Sequence, residues 1–290
     1  MELYNPAVIR AIRNKYGFRF SKSLGQNFLT SKEVIDGIVE GAGIGPKDLI
    51  IEIGPGIGVL TQAAAEAGDK VIAIELDSNL ITILADTLSG YENVEVLNQD
   101  VLKTDLTGLI ETEKQGREHV RIIGNLPYYI TTAIIMKLLE ERIPCDSITI
   151  MMQKEVAQRI VSPPGSRVYG ALSVAVQYYC EVEIVEEVPK ESFMPMPKVD
   201  STVITLYPRK EPRVELIDEN LFFRLVKAGF GQRRKTLTNS LRQAGFTREE
   251  IEQALSACGI EQKRRAETLS VEDFGAIANF FSGNRVVQGE

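Results

Sequence analysis

The sequence has one histidine, three cysteines and no apolar run near the roughly 20 residues that a membrane-spanning helix needs. A Ser-His-Asp or Cys-His mechanism would have to run through His119. That residue stands in Arg117-Glu118-His119-Val120, ahead of a strand and with no partner nucleophile nearby, so it reads as a loop residue. Cys145, Cys180 and Cys258 are far apart, odd in number and in no metal-ligand spacing, which fits thiols in a reducing compartment. Residues 1–6 lack the basic-then-apolar start of a signal peptide, and no internal repeat or low-complexity tract is present. Basic charge is also short: 33 Lys and Arg stand against 40 Asp and Glu, a net charge of −7. That balance excludes a uniformly basic nucleic-acid coat and leaves only local patches for such a partner. The expectation is a cytoplasmic monomer without metal or membrane contact, long enough at 290 residues for one sizeable domain and a smaller one.

Seven short apolar runs, at residues 49–53, 71–74, 94–97, 120–123, 146–152, 181–188 and 202–207, read as strands. Helix-like stretches at 59–67, 131–141, 154–160 and 169–179 separate several of them. This alternation implies an α/β fold with a mostly parallel, Rossmann-like sheet that binds ligands at the carboxyl ends of its strands. The first three runs end on polar or glycine-rich groups: Gly54-Pro55-Gly56-Ile57-Gly58, then Glu75, then Asn98-Gln99-Asp100. The glycines let the backbone approach a ligand, and an acid after the second strand is placed for ribose hydroxyls. The pattern is not the dinucleotide G-x-G-x-x-G, and no G-x-x-x-x-G-K-[ST] loop occurs. S-adenosylmethionine, which carries adenosine and a zwitterionic amino acid but no phosphate, fits better than NAD. In that reading Asp100 accepts from the adenine amino group and Glu75 holds the ribose. Fold analogy by itself leaves NAD open.

After the fourth run comes Asn125-Leu126-Pro127-Tyr128. The exocyclic nitrogen of an aminopurine shares its lone pair with the ring and is a poor nucleophile. Two acceptors aimed at its N–H bonds favour a more tetrahedral nitrogen with a freer lone pair. Asn125 can supply a side-chain carbonyl, and Leu126 a backbone carbonyl in the extended conformation that a following proline imposes. Tyr128 can stack on the base, worth roughly 1–3 kcal/mol in nucleic-acid sites. An ordinary strand-end turn would use the same residue types.

Residues 1–32 carry Arg10, Arg13, Lys15, Arg19, Lys22 and Lys32 around Gly25-Gln26-Asn27-Phe28-Leu29, which has no helix or strand period. They read as a basic arm with a loop that packs over a ligand. Pro189, Pro195 and Pro197 make residues 189–201 a stiff extended connection. If it reaches the site, Phe193 is a second wall for the base; as a crossover, it would put Phe193 in the core. The charged, proline-bearing stretch 208–213 divides the chain into domains 1–208 and 209–290. Helical patterns at 221–230, 235–244, 248–258 and 271–281 make the second domain small and α-helical, with 284–290 as a frayed tail. Its clusters Arg233-Arg234-Lys235 and Lys263-Arg264-Arg265 suit an RNA-facing surface, although a solvated helix face explains either one alone.

With these segments in place, the chain resembles the bacterial small-subunit ribosomal RNA adenine N6-dimethyltransferase family (KsgA/RsmA) over nearly its whole length. The resemblance rests on Leu24-Gly25-Gln26-Asn27-Phe28-Leu29, Glu52-Ile53-Gly54-Pro55-Gly56-Ile57-Gly58, Glu75, Asp100, residues 125–128, residues 193–201 and Phe230-Gly231-Gln232-Arg233-Arg234-Lys235. It implies a class I methyltransferase fold with a mostly parallel seven-stranded sheet. The implied reaction uses S-adenosylmethionine to dimethylate two adjacent adenosines in the 3′-terminal hairpin loop of 16S ribosomal RNA within an immature small subunit. Cofactor contacts carry over onto Gln26, Asn27, Leu29, Gly54, Glu75, Asp100 and Asn125. The catalytic group carries over onto Asn125, Leu126, Pro127 and Tyr128, and base handling onto Tyr128 and Phe193. Three rivals stay open. The large-subunit family that confers macrolide resistance shares the Asn-Leu-Pro-Tyr logic, but the long C-terminal region and acidic charge here oppose it. A non-catalytic assembly factor would not need the intact residues 125–128. An NAD oxidoreductase would need a hydride-transfer partner that His119 is poorly placed to be.

Overall fold

The computed structural model describes residues 1–18, 25–232 and 234–288, with side chains described as far as residue 283. The chain forms two compact units: residues 1–157 with 182–208, and residues 158–181 with 209–290.

The first unit is built on strands β1 Phe28–Leu29, β2 Leu49–Ile53, β3 Lys70–Glu75, β4 Val94–Asn98, β5 Val120–Asn125, β6 Ser147–Gln153, β7 Cys180–Val188, β8 Phe193–Met194 and β9 Ser201–Pro208. Seven of them form one sheet in the order β4-β3-β2-β5-β6-β9-β7. The pairs β2–β3, β3–β4, β2–β5 and β5–β6 are parallel, while β9 runs antiparallel to β6. Every residue of β2 is buried, as are the first six of both β6 and β9. That is why these strands read as continuous apolar runs and not as alternating ones: helices cover the parallel part on both faces. One polar pair sits inside the sheet, where the hydroxyls of Thr149 and Thr205, cross-strand partners, share a hydrogen bond of 2.8 Å.

The chain crosses from β2 to β3 on one side and later returns to β5 on the other, so the strand order reverses at β2. The crevice at such a reversal lies between the carboxyl ends of its strands. Here those ends carry Gly54 and Asn125, brought together from residues far apart in sequence.

Two N-terminal helices, Pro6–Tyr16 and Lys32–Ala42, complete the unit. Asn5 caps the first with Pro6 at its opening position, and Ser31 caps the second. Ile9, Ile12, Val34, Ile35 and Ile38 pack in one core with Phe28, Leu29, Leu60 and Leu80. The segment read as a basic arm therefore holds the helix Pro6–Tyr16, and Phe28–Leu29, read as loop, pairs with Met194 and Phe193 as a short antiparallel ribbon. Arg19, Lys22 and Leu24 lie outside the described residues.

The second unit is helical, with Ala171–Tyr179, Glu219–Gly231, Leu237–Leu241, Arg248–Ala257 and Val271–Gln288 as its helices. Residues 158–181 belong to it for a visible reason. Glu219 accepts from the hydroxyls of Tyr178 and Tyr179 at 3.0 and 2.7 Å, and both rings pack on Phe223. The last helix continues to Gln288 where a frayed tail was expected from residue 284. Among the described residues no helix is long and apolar enough to cross a membrane.

Candidate active site

A cavity opens at the carboxyl ends of β2, β3 and β5. Gln26, Asn27, Leu29, Gly54, Glu75, Asp100 and residues 125–128 all line it. The sheet brings Gly54, Glu75, Asp100 and residues 125–128 together because each lies at or just beyond a strand end, and the Gln26–Leu29 segment joins them through Asp77 and Asn125. Gly54 adopts φ 72°, a left-handed conformation that strains other residues, and a Cβ built there meets nothing within 4 Å. Its glycine is needed for the turn itself.

Glu75 braces the loop it faces. Its Oε2 accepts from the Gly56 N–H at 3.2 Å and its Oε1 from the Asp77 N–H at 2.7 Å. Burial pushes its pKa upward, and these two N–H donors oppose the shift. Asp77 in turn caps the helix Ser78–Thr87 and accepts from Gln26 Nε2 at 2.8 Å, which ties the Gln26 segment to the site. Asp100 Oδ1 accepts from the Leu102 N–H at 3.0 Å, and Lys103 Nζ stands 3.7 Å from the other oxygen.

Residues 125–128 show which acceptors are occupied. Asn125 Nδ2 donates to the Asn27 carbonyl at 2.9 Å. A carbonyl can only accept, so the amide nitrogen must face Asn27, and Oδ1 is left as the acceptor. Leu126 is buried and its N–H donates to the Met151 carbonyl at 3.2 Å. No donor among the described residues reaches the Leu126 carbonyl. The next carbonyl, of Pro127, is taken twice, by Ile130 N–H at 3.1 Å and Thr131 Oγ1 at 3.0 Å. Two consecutive residues thus keep an acceptor that no donor among the described residues uses, beside one cavity. Gly124 lets β5 come this close to β2, since a Cβ there would stand 2.7 Å from the Ile53 carbonyl oxygen.

Sequence reasoning left Glu52 without a role. It lines the cavity from within β2, is 1% exposed, and its Oε2 has no hydrogen-bond partner among the described residues. Burial pushes its pKa up to about 8, with the nearby Thr61 hydroxyl opposing the shift and the Glu75 charge adding to it. The signal was an acid inside a run that otherwise reads as sheet core. Phe193 does not line the cavity: its pairing with Leu29 turns it into the core, where it is 5% exposed. Arg234 and Lys235 are exposed in the turn that precedes the helix Leu237–Leu241 of the second unit, and Arg233 lies outside the described residues. Among the described residues no cluster of His, Cys, Asp or Glu is spaced to hold a metal ion.

Residues 17–282 match the model of the family described as ribosomal RNA adenine dimethylase. The chain belongs to that family. Ribosomal RNA small subunit methyltransferase A of Alkaliphilus metalliredigens is 52% identical over 278 residues, spanning 95% of this chain and 96% of its own. Among solved structures, a dimethyladenosine transferase from Plasmodium falciparum superposes with a TM-score of 0.72 at 26% identity, covering 86% of this chain and 95% of its own. A 23S rRNA methyltransferase, ErmE, follows with a TM-score of 0.65 at 29% identity, covering 88% and 98%. The expected family and the mostly parallel Rossmann-like fold are both borne out, and the oxidoreductase reading is set aside.

Proposed function

We propose that this enzyme uses S-adenosylmethionine to dimethylate N6 of two adjacent adenosines in the 3′-terminal hairpin loop of 16S ribosomal RNA. In this reading it acts as a cytoplasmic monomer on an immature small subunit. The observation that carries the proposal is the pair of unused acceptors, Asn125 Oδ1 and the Leu126 carbonyl, beside one cavity.

The lining of the cavity fits the cofactor's chemistry. Among the described residues, it includes the carboxyl groups of Glu52, Glu75 and Asp100 and no lysine or arginine. Such a lining repels the phosphates of a dinucleotide and suits a ligand with cationic centres and no phosphate. Glu52, with its orphaned oxygen, would take the ammonium of the amino-acid part, while Glu75 would hold the ribose and Asp100 the adenine amino group. When bound, S-adenosylmethionine supplies a methyl group on a positively charged sulfur for direct transfer.

The chain's own residues would do the rest. The target adenosine leaves its stack to enter the pocket, and Tyr128 stacks on the extruded base. Asn125 Oδ1 and the Leu126 carbonyl accept from its amino group and free the nitrogen lone pair. Holding donor and acceptor in line supplies much of the rate, since such alignment is worth about 7–11 kcal/mol at its best. No residue of the cavity is placed as an obvious general base; the proton leaves the nitrogen after methyl transfer.

The test uses purified protein, S-adenosylmethionine labelled in its methyl group and unmethylated small subunits, with large subunits and a non-ribosomal RNA alongside. Labelled dimethyladenosine in small subunits only is the expected result. Label in the large subunit would instead place the activity with the 23S enzymes that this fold also resembles. Tight RNA binding without label would favour a non-catalytic assembly factor.

A further inference from the structure

We propose that Ser201 is a positioning residue for Tyr128, holding the ring on which the target base stacks; the inference rests on the adenine-methylating reading above. The two hydroxyls share a hydrogen bond of 2.8 Å across 73 residues of sequence. Tyr128 is partly buried and sits on the turn closed by the Ile130 N–H to Pro127 carbonyl bond. A tyrosine on such a turn has several staggered side-chain orientations open to it, and the hydroxyl bond selects one.

Ser201 is itself firmly held. It is the first residue of β9, pairs with Gln153 of β6 and is 0% exposed. The preceding Asp200 accepts from the Lys154 N–H at 3.0 Å through its carbonyl, and from the Lys190 N–H at 3.1 Å through its side chain. A serine is an unusual choice for a buried strand position, where β-branched and aromatic residues pack better. Its hydroxyl needs a partner when buried, and among the described residues Tyr128 is the one its side chain has. The proline-bearing connection 189–201 therefore reaches the site through a serine hydroxyl at its far end, while Phe193 stays in the core.

Three variants test this: Ser201→Ala, Tyr128→Phe and the double substitution. Each removes the same bond. Tyr128→Phe does so from the less buried side and keeps the test open if Ser201→Ala fails to fold. Single-turnover methyl transfer to small subunits should fall roughly tenfold in either single variant, about 1.4 kcal/mol. The double variant should fall no further than the singles, because the two residues act through one interaction. Cofactor affinity by calorimetry should stay unchanged. Small subunits carrying 2-aminopurine at the target position report stacking directly. Its fluorescence, quenched by wild-type protein, should recover in both variants, which a merely structural role of Ser201 would not produce. Additive losses, or an active wild type with an unimpaired Ser201→Ala variant, would overturn the positioning role alone. A wild type inert on small subunits would overturn the function and this inference together.

Discussion

Replacing Glu52 with glutamine should flatten the pH dependence of folding stability and weaken cofactor binding at the same time. An unfolded chain holds this carboxyl near 4.5, whereas the folded protein holds it at about 8. Between those values the native state binds one proton more than the unfolded state. Stability then falls as pH rises, by about 1.36 kcal/mol per unit. The contribution is fully present below pH 4.5 and is lost by about pH 8, a total of roughly 4–5 kcal/mol from the two pKa values. Glutamine does not titrate. Urea unfolding of the cofactor-free protein at several pH values between 5 and 8 measures the difference. Wild type minus variant should change by about 1.4 kcal/mol for each pH unit, wild type losing ground. Glu75 is also raised by burial, but it is present in both proteins and largely cancels. A charge-assisted hydrogen bond is worth about 1.5–3 kcal/mol, so calorimetry at pH 8 should show affinity for S-adenosylmethionine roughly ten- to a hundredfold lower in the variant. Parallel pH curves for the two proteins would refute the assignment of a protonated, desolvated carboxyl. Unchanged cofactor affinity would remove Glu52 from the site.

Gly124→Ala should destabilise the protein by about 1–3 kcal/mol, because its Cβ would press at 2.7 Å on the Ile53 backbone carbonyl, which cannot swing away. Chemical denaturation checks this, and a neutral result would mean that β2 and β5 separate easily. Glu219→Ala should cost about 1–3 kcal/mol by removing the carboxylate that the hydroxyls of Tyr178 and Tyr179 both donate to. An unchanged denaturation midpoint would show that the Glu219 carboxylate adds nothing to the other contacts that hold residues 158–181 in the second unit, such as Gly165 N–H to the Glu267 carbonyl and Tyr169 on Phe230.

The sheet was largely legible in the sequence. Its central strands β2, β3, β5, β6 and β9 are buried over most of their length and leave continuous apolar runs, while β4 and β7 are only partly buried and show in the sequence as shorter or interrupted apolar runs. The cavity was legible for the same reason, since Gly54, Glu75, Asp100 and Asn125 stand at strand ends. The ribbon of β1 and β8 was hidden because two-residue strands carry no period. That pairing decides where Phe193 points, so its expected place as a second wall could not be checked before the pairing was known. Glu52 was hidden by its position within a strand, where an acid looks like an imperfection in the core. The grouping of residues 158–181 with the second unit rests on contacts distant in sequence, among them Tyr178 and Tyr179 with Glu219 across about forty residues and Tyr169 with Phe230, which no local pattern announces.

The central claim is that Asn125 Oδ1 and the Leu126 carbonyl make the amino group reactive. Single-turnover methyl transfer and cofactor affinity, measured side by side in Asn125→Ala, test it most directly. Transfer should fall by roughly 100- to 1,000-fold, the range for removing one preorganised polar group from a reacting centre. Cofactor affinity should fall by no more than about tenfold, since the variant also releases the Asn27 carbonyl, a single hydrogen bond. Near-normal transfer in that variant would contradict the account.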